Sequence, residues 1–395
     1  MVEIWANGGS PEDIQAAVDQ ASVGDKVRVP EGDFVFNIDP NKTFLSWAYG
    51  PMPVGVVVPG GVDIIGAGKG KTILRMTEVA PGRQSNMFVA YGAVQERVNL
   101  LNMTLIGNPG DDPGYPVNTG VLIATVPDFR VGHCEFINFS HSAIRVMPFF
   151  YDGISRGVVD HCDFDNPWKD AYPGWFDGYG YGVGIQGRDE WEDITTKLGK
   201  YETTNNVVYV ENCTFRRNRH AITSNRGGWY VSRYNDFFEP VPISAPLVDI
   251  HGGVGASIGG RGAEIYNNKF YGAGSGYGSA AINYRGGGGV AFNNNMIRCQ
   301  YGVMMSVEPS PNPLCVVSEL YVWNNEAVEP YIPYYPLWID GVYVEEQDYF
   351  LHEPVGYKRY AYPHPLTTQP KLAIPLWLIA IPILGFILLK VKKKV

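Results

Sequence analysis

Short runs in which apolar and polar residues alternate recur along the chain, separated by turns rich in Asn, Gly and Asp. Alternation at a period of two marks strands that turn one face inward and the other to solvent. The first helical signal is SPEDIQAAVDQAS (10–22). Ser10 is a good N-cap, Pro11 fits the first turn, and Glu12 and Asp13 suit the positive end of a helix. Ile14, Ala17 and Val18 make one apolar stripe, which predicts a helix over about 11–22. GDKVRVPEGDFVF then reads as two short strands about a turn at Pro30–Gly32.

From about residue 60 a loose repeat sets in. A short apolar strand leads into a turn, often holding Asn, and then into a second strand ending in Phe or Ile. Examples are FRVGHCEFINF (129–139), RGVVDHCDF (156–164), VVYVENCTF (207–215), WYVSRYNDF (229–237), AEIYNNKF (263–270) and VAFNNNMI (290–297). Steps between Phe136, Phe164, Phe215, Phe237, Phe270 and Ile297 are 28, 51, 22, 33 and 27 residues. Most of these suit one coil of a parallel β-solenoid, the longest being a coil with an aromatic insertion at 165–206. A solenoid stacks the same position of every coil into one column, where Asn amides bond along the stack, and this favours it over a sandwich. The helix is expected to cover the first coil and shield its strand edge. Cys134, Cys162 and Cys213 occupy matching phrases, so they are expected as stacked, buried thiols.

Each phrase is followed by another strand: GVLIA (120–124), AIRVM (143–147), GVGIQ (182–186), AITSN (221–225), LVDIH (247–251), AINYR (281–285) and GVMMS (302–306). Aligned on their inward apolar residues, they yield two outward columns. One holds Leu122, Arg145, Gly184, Thr223, Asp249, Asn283 and Met304; the other holds Ala124, Met147, Gln186, Asn225, His251, Arg285 and Ser306. With coils about 4.8 Å apart, Thr223, Asn225, Asp249, His251, Asn283 and Arg285 are expected to share one wall.

The opening IQAAVDQASVGDKVRVPEGDF, the segment IIGAGKGKTIL and the NCTF and YNNKF phrases resemble the pectin-lyase-like, right-handed parallel β-helix family. The resemblance runs over roughly 8–366, where YKRYAYPHPL (357–366) is similar to the close of such chains. It implies an all-β fold, a single-stranded right-handed parallel β-helix, with polysaccharide bound along the outward wall. The expected layout is an N-terminal cap (1–33), the β-helix (34–325), a C-terminal cap and spacer (326–371), a transmembrane helix (372–389) and a basic tail (390–395). The superfamily includes lyases, hydrolases, epimerases and non-catalytic surface proteins, so fold alone assigns no activity.

Charge sharpens this picture. The chain carries −9 overall, and its first 370 residues hold 26 basic against 40 acidic residues. Such a body repels nucleic acid, and it repels polyanionic sugars too unless a local basic patch reverses the field. Leu372 to Leu389 is 18 residues without a charge, followed by a basic run, Lys390 to Lys394. That length suits a bilayer-spanning helix with a cytoplasmic tail and an extracellular body.

For chemistry, a β-eliminating lyase needs a base beside a uronate carboxylate and a cation to stabilise the enolate. His251 is the candidate base, Arg285 the electrophile, and Asp249 an orienting group. Arg145, Gln186, Thr223, Asn225, His220 and Asn283 are candidate substrate contacts, and His220 and Arg145 are also second-line catalytic candidates. A hydrolase needs two carboxylates about 5–9.5 Å apart, which requires Asp177, Asp189 or Glu190 from the insertion. Trp168, Trp175 and Tyr179 in that insertion are candidate stacking surfaces for sugar rings. Neither the family's clustered aspartates for Ca²⁺ nor its paired Asp with RxK is evident, so no cofactor is required by this reading and no metal ligand is assigned. NPGDDPG (108–114) offers Ca²⁺ only adjacent acids. GAGKGKT (66–72) lacks the spacing of a phosphate loop and reads as a turn. The sequons at Asn41, Asn102, Asn138 and Asn212 compete with a structural Asn column. Two functions remain: a membrane-anchored protein that binds and cleaves polysaccharide, with lyase chemistry favoured, or a non-catalytic surface or adhesin-like protein.

Overall fold

The computed structural model describes residues 1–46, 50–77, 85–92, 97–108, 118–147, 155–166, 180–187, 207–238, 245–253, 259–272, 280–307, 316–341 and 343–368. Each coil contributes one strand to each of three sheets, of 12, 10 and 11 strands. One coil reads Asp128–Gly132 in the first sheet, Glu135–Ile137 in the second and Ser142–Met147 in the third. Ladders between coils are parallel, as in Asp128–Gly132 against Gly157–Asp160, while the short Thr43–Ser46 strand pairs antiparallel with Gly50–Pro59. Strands continue past residue 325, through Tyr335–Ile339 and Tyr349–Phe350. The solenoid is therefore longer than the repeat phrases show. Within the expected insertion at 165–206, Tyr181–Gln186 is a strand of the third sheet, as the GVGIQ phrase predicts.

The bend from first to second sheet takes two residues in most coils. The first has a left-handed backbone: Asn102, His133, His161, Asn212, Tyr234, Asn267, Asn293 and Asn324 all have φ between 49° and 62°. The next residue turns inward, and these residues form one column: Cys134, Cys162, Cys213, Asn235, Asn268, Asn294, Asn325. Each asparagine Oδ1 accepts the backbone N–H of the residue one coil earlier: Cys213 to Asn235 at 2.9 Å, Asn235 to Asn268 at 3.0 Å, Asn268 to Asn294 at 3.1 Å. The thiols of Cys134, Cys162 and Cys213 instead donate to backbone carbonyls at 3.3–3.7 Å. They are buried and free, as expected. Three of the four sequon asparagines (Asn102, Asn138 and Asn212) hold left-handed turns.

Phenylalanines fill the core beneath the second sheet. Phe136, Phe164, Phe215, Phe237 and Phe270 stack in sequence with centroids 4.5–5.1 Å apart. The next member of this column is Met296, in register with Phe270, and not the expected Ile297. Ile297 lies on the opposite, outer side of its strand.

The helix spans Pro11–Val18, shorter than expected, with Ser10 accepting the Asp13 N–H. Its Gln15 side chain bonds both the N–H (2.9 Å) and the C=O (3.3 Å) of Val57 in the strand Gly50–Pro59 of the third sheet. After the last coil, residues 351–368 run back over the outer face of the first sheet. Tyr360, Tyr357 and Leu366 there pack on Val158, Tyr209, Trp229, Tyr266 and Phe292. Arg233, with no exposed side-chain surface, ties this strap down. It pairs with Glu211 at 2.8 Å and donates to the carbonyls of Tyr360 (3.0 Å) and Ala361 (2.7 Å). The expected membrane helix, 372–389, lies outside the described residues. Among those described, no helix is long and apolar enough to cross a membrane.

Candidate functional site

From Thr72 to Phe350 the long connections between strands border the third sheet, while the first-to-second bends stay short. The outer face of the third sheet is therefore the wall between loops, the place where a solenoid builds sites. That face changes character along its length. Its N-terminal end is apolar, with Met52, Val54, Val89, Leu122, Ala124 and Met147 clustered together. Its middle is polar.

The register bears out the first expected column and, in the second, the Gln186–Asn225 step. Gly184, Thr223, Asp249 and Asn283 are successive partners, as are Gln186 and Asn225. A third column was missed. At the start of these strands two successive residues enter the core: Ala143 and Ile144, Ala221 and Ile222, Leu247 and Val248, Ala281 and Ile282. Simple alternation fails at this step. The residue before the pair therefore faces outward with the columns, and in two coils it is Tyr181 and His220. Their rings pack at 5.5 Å.

Asp249 is the centre of the wall. It has no exposed surface and makes a bidentate pair with Arg285, Nε to Oδ1 at 2.9 Å and Nη2 to Oδ2 at 2.7 Å. Thr223 Oγ1 donates to Oδ2 at 3.3 Å, and His220 Nε2 stands 4.0 Å from the same oxygen. Burial pushes the Asp249 carboxyl up. The charge of Arg285 and its hydrogen bonds outweigh it, holding the group well below the usual carboxylate range. Asp249 is thus an ionised anchor for Arg285 and not a proton carrier at neutral pH.

The histidines have defined tautomers. His220 Nδ1–H donates to the Pro246 carbonyl at 2.7 Å, leaving the lone pair on Nε2. Burial lowers its pKa to about 3, so the ring is neutral. His251 Nδ1–H donates to the Gly252 carbonyl at 2.7 Å, which likewise puts its lone pair on Nε2. His251 is half-buried and more open than His220. Those two properties fit a base better than the enclosed His220.

Arg145 sits two strands from Thr223 in the same column, with Gly184 between them. It donates to His141 Nε2 at 3.5 Å, and His141 Nδ1–H donates to Ser142 Oγ at 2.9 Å. Burial, then the Arg145 charge, holds His141 well below the ordinary histidine range. No motif in the sequence marks His141. Its signal was position: it shortly precedes a third-sheet strand, as His220 does. Asn283 Oδ1 accepts from Ser306 Oγ at 3.0 Å, and Asn225 Oδ1 accepts from the Arg226 N–H at 2.7 Å. Gln186 Oε1 is buried with no hydrogen-bond partner among the described residues. Trp168, Trp175, Tyr179, Asp177, Asp189 and Glu190 lie outside the described residues.

Two carboxylates face outward along these columns among the described residues. Asp340 follows Ser306 one coil on, its N–H bonded to the Met305 carbonyl at 2.8 Å. Three strand steps separate its coil from that of Asp249, about 14 Å. That exceeds the spacing of a hydrolytic pair. For a metal, one group of suitable side chains exists among the described residues: His133, Asp160 and His161, at the first bend and away from this wall. Asp160 is already held bidentately by Arg130 at 2.7 and 2.8 Å, which places a guanidinium where a cation would need the carboxylate. The group does not fit a resident cofactor of the wall.

Three parallel sheets wound coil on coil, with a polar wall between loops, define a parallel β-helix. In particular, the chain is similar to an alginate lyase from Paenibacillus sp. str. FPU-7, at 12% identity over 86% of this chain and 99% of that one, with a TM-score of 0.52. Similar too are the A-module of a mannuronan C-5 epimerase from Azotobacter vinelandii (12% identity, 82% and 74% coverage, TM-score 0.42) and the catalytic domain of an α-1,3-glucanase (11%, 86% and 68%, 0.38). No family model matches the sequence, and no curated protein matches it. At such identities the likeness establishes fold, and the pectin-lyase-like resemblance read from the sequence is borne out at that level.

Proposed function

We propose that this protein binds a uronate-containing polysaccharide along the outer wall of the third sheet and cleaves it by β-elimination. One observation carries the reading. A chain of net charge −9 sets two guanidiniums, Arg145 and Arg285, against a single buried carboxylate, Asp249, on one wall that also carries the imidazoles of His141, His220 and His251. That local reversal of charge suits an anionic sugar. Arg285, fixed by Asp249, neutralises the uronate carboxylate. His251 Nε2 removes the proton beside it, the C–H electron pair becomes the new C=C bond, and the glycosidic C–O bond breaks. The imidazolium then returns the proton to the leaving oxygen. The solved lyase named above acts on alginate, a polymer of the class that this chemistry requires, which supports the reading.

Incubation with a panel of polyuronates, followed by absorbance of the unsaturated product, tests it. His251→Ala is expected to lower the rate about 100-fold or more. Arg285→Lys is expected to lower it as well, because an ammonium cannot make the bidentate pair. Full activity in His251→Ala removes this site. A second reading, binding without cleavage, has one observation in its favour: Asp249 and Arg285 satisfy one another as a structural ion pair would. Retention on a polyuronate without new absorbance selects it.

The run Leu372 to Leu389 completes the proposal as a single-pass anchor, with the body outside and Lys390–Lys394 inside. Full-length protein remaining with membranes after an alkaline wash supports this; complete release overturns it.

A further inference from the structure

The polar wall ends in aromatic rings that the sequence reading did not single out. The Asp249 column continues through Asn283 and Met304 to Trp338. Leu337 and Ile339 pack on the core, so Trp338 between them faces outward. Beside it, Tyr301 and Tyr335 are register partners whose rings stack at 5.4 Å and 14°. Trp338 meets Tyr301 edge-on, 5.8 Å between centroids at 66°. Tyr335 is 38% exposed, while Met304 beneath the group is fully buried. Tyr335–Ile339 is the last strand of the third sheet among the described residues.

One feature makes this more than packing: the rings are collinear with the proposed site. Three strand steps, about 14 Å, separate Asp249 from Trp338. Sugar residues of an extended polymer advance by about one strand spacing, so a chain lying along the column places about three units between the two.

We infer that Tyr335 and Trp338 form a stacking platform for a pyranose ring several units away from the reacting bond, extending the polysaccharide site to the C-terminal end of the sheet. The inference rests on the proposed function for the identity of the polymer. Aromatic faces bind the C–H faces of sugar rings with little regard to the ring's charge, so the platform adds affinity without entering the chemistry.

The test is calorimetric binding of uronate oligomers of increasing length, dimer to octamer, to the full chain and to Trp338→Ala, Tyr335→Ala and Trp338→Phe. Octamer affinity is expected to fall about tenfold in each alanine variant and to be largely kept in Trp338→Phe. Dimer affinity and melting temperature are expected to stay unchanged. Equal loss for dimer and octamer, or none for either, overturns the platform. Cleavage that is indifferent to Trp338 at every length leaves the elimination standing and removes the platform. Length-dependent, Trp338-dependent binding without any unsaturated product does the reverse. If no oligomer binds the wild-type protein, both fall.

Discussion

Asp249 shows how one residue carries both stability and chemistry. Its carboxylate has no contact with solvent and depends on Arg285, Thr223 and the nearby His220. Removing Arg285 would strand a buried charge, which costs about 3–5 kcal/mol. Arg285→Ala is therefore expected to lower the melting temperature markedly, and Asp249→Asn in the same chain to restore part of it. Denaturant unfolding of the single and double variants measures this; an Arg285→Ala melting curve equal to wild type would show the pair to be solvated. Period-two alternation placed Asp249, His251 and Arg285 on one wall correctly. It could not place His220, because paired core residues such as Ala221–Ile222 break the alternation just where that column begins.

At the scale of elements, the bend between the first and second sheets is the most repetitive part of the fold. Cysteine and asparagine share one column there because both are small and both bond backbone groups. The thiol bonds carbonyls alone, while the amide also accepts an N–H from the coil before. Asn268 shows the full set: it accepts from the Asn235 N–H at 3.0 Å and donates to the Ser232 carbonyl at 3.0 Å. Asn268→Ala is expected to cost about 2 kcal/mol, since buried partners lose their bonds. Asn268→Asp is expected to be no better, because a carboxylate cannot donate to Ser232. Chemical unfolding checks both. The repeated phrases made the column of bends legible, yet assigning Ile297 in place of Met296 slipped the last step by one residue. Adjacent apolar residues look alike in sequence, and only the ladder with Phe270 selects between them.

Over the whole molecule, the strap at 351–368 returns to coils far back in the chain. The Arg97 side chain donates to the Leu366 carbonyl at 2.8 Å, and the His364 N–H donates to Glu211 at 2.9 Å. The His364 ring packs on Tyr209 at 4.4 Å, and burial, then Arg233, lowers its pKa to about 4. His220 in the wall is lowered to about 3. Both rings bind a proton more weakly folded than unfolded, so the unfolded chain takes up the extra protons in acid. Their contribution is complete above about pH 6.5 and is lost as pH falls towards these values, about 2 kcal/mol for each ring at pH 5. Melting temperature is expected to drop between pH 7 and 5, and less so in His364→Gln. An unchanged drop in that variant would remove the strap from the explanation.

The sequence by itself determined the parallel β-helix, its columns and the polar wall, because a stacked repeat turns local alternation into long-range neighbours. Only the tertiary structure decided which side chains pair, how far the coils continue past residue 325, and that the C-terminal strap covers the first sheet. Those outcomes depend on contacts between residues such as Arg233 and Ala361, over 100 positions apart. No local pattern encodes such a pairing, since it arises only where folding brings two unrelated surfaces together.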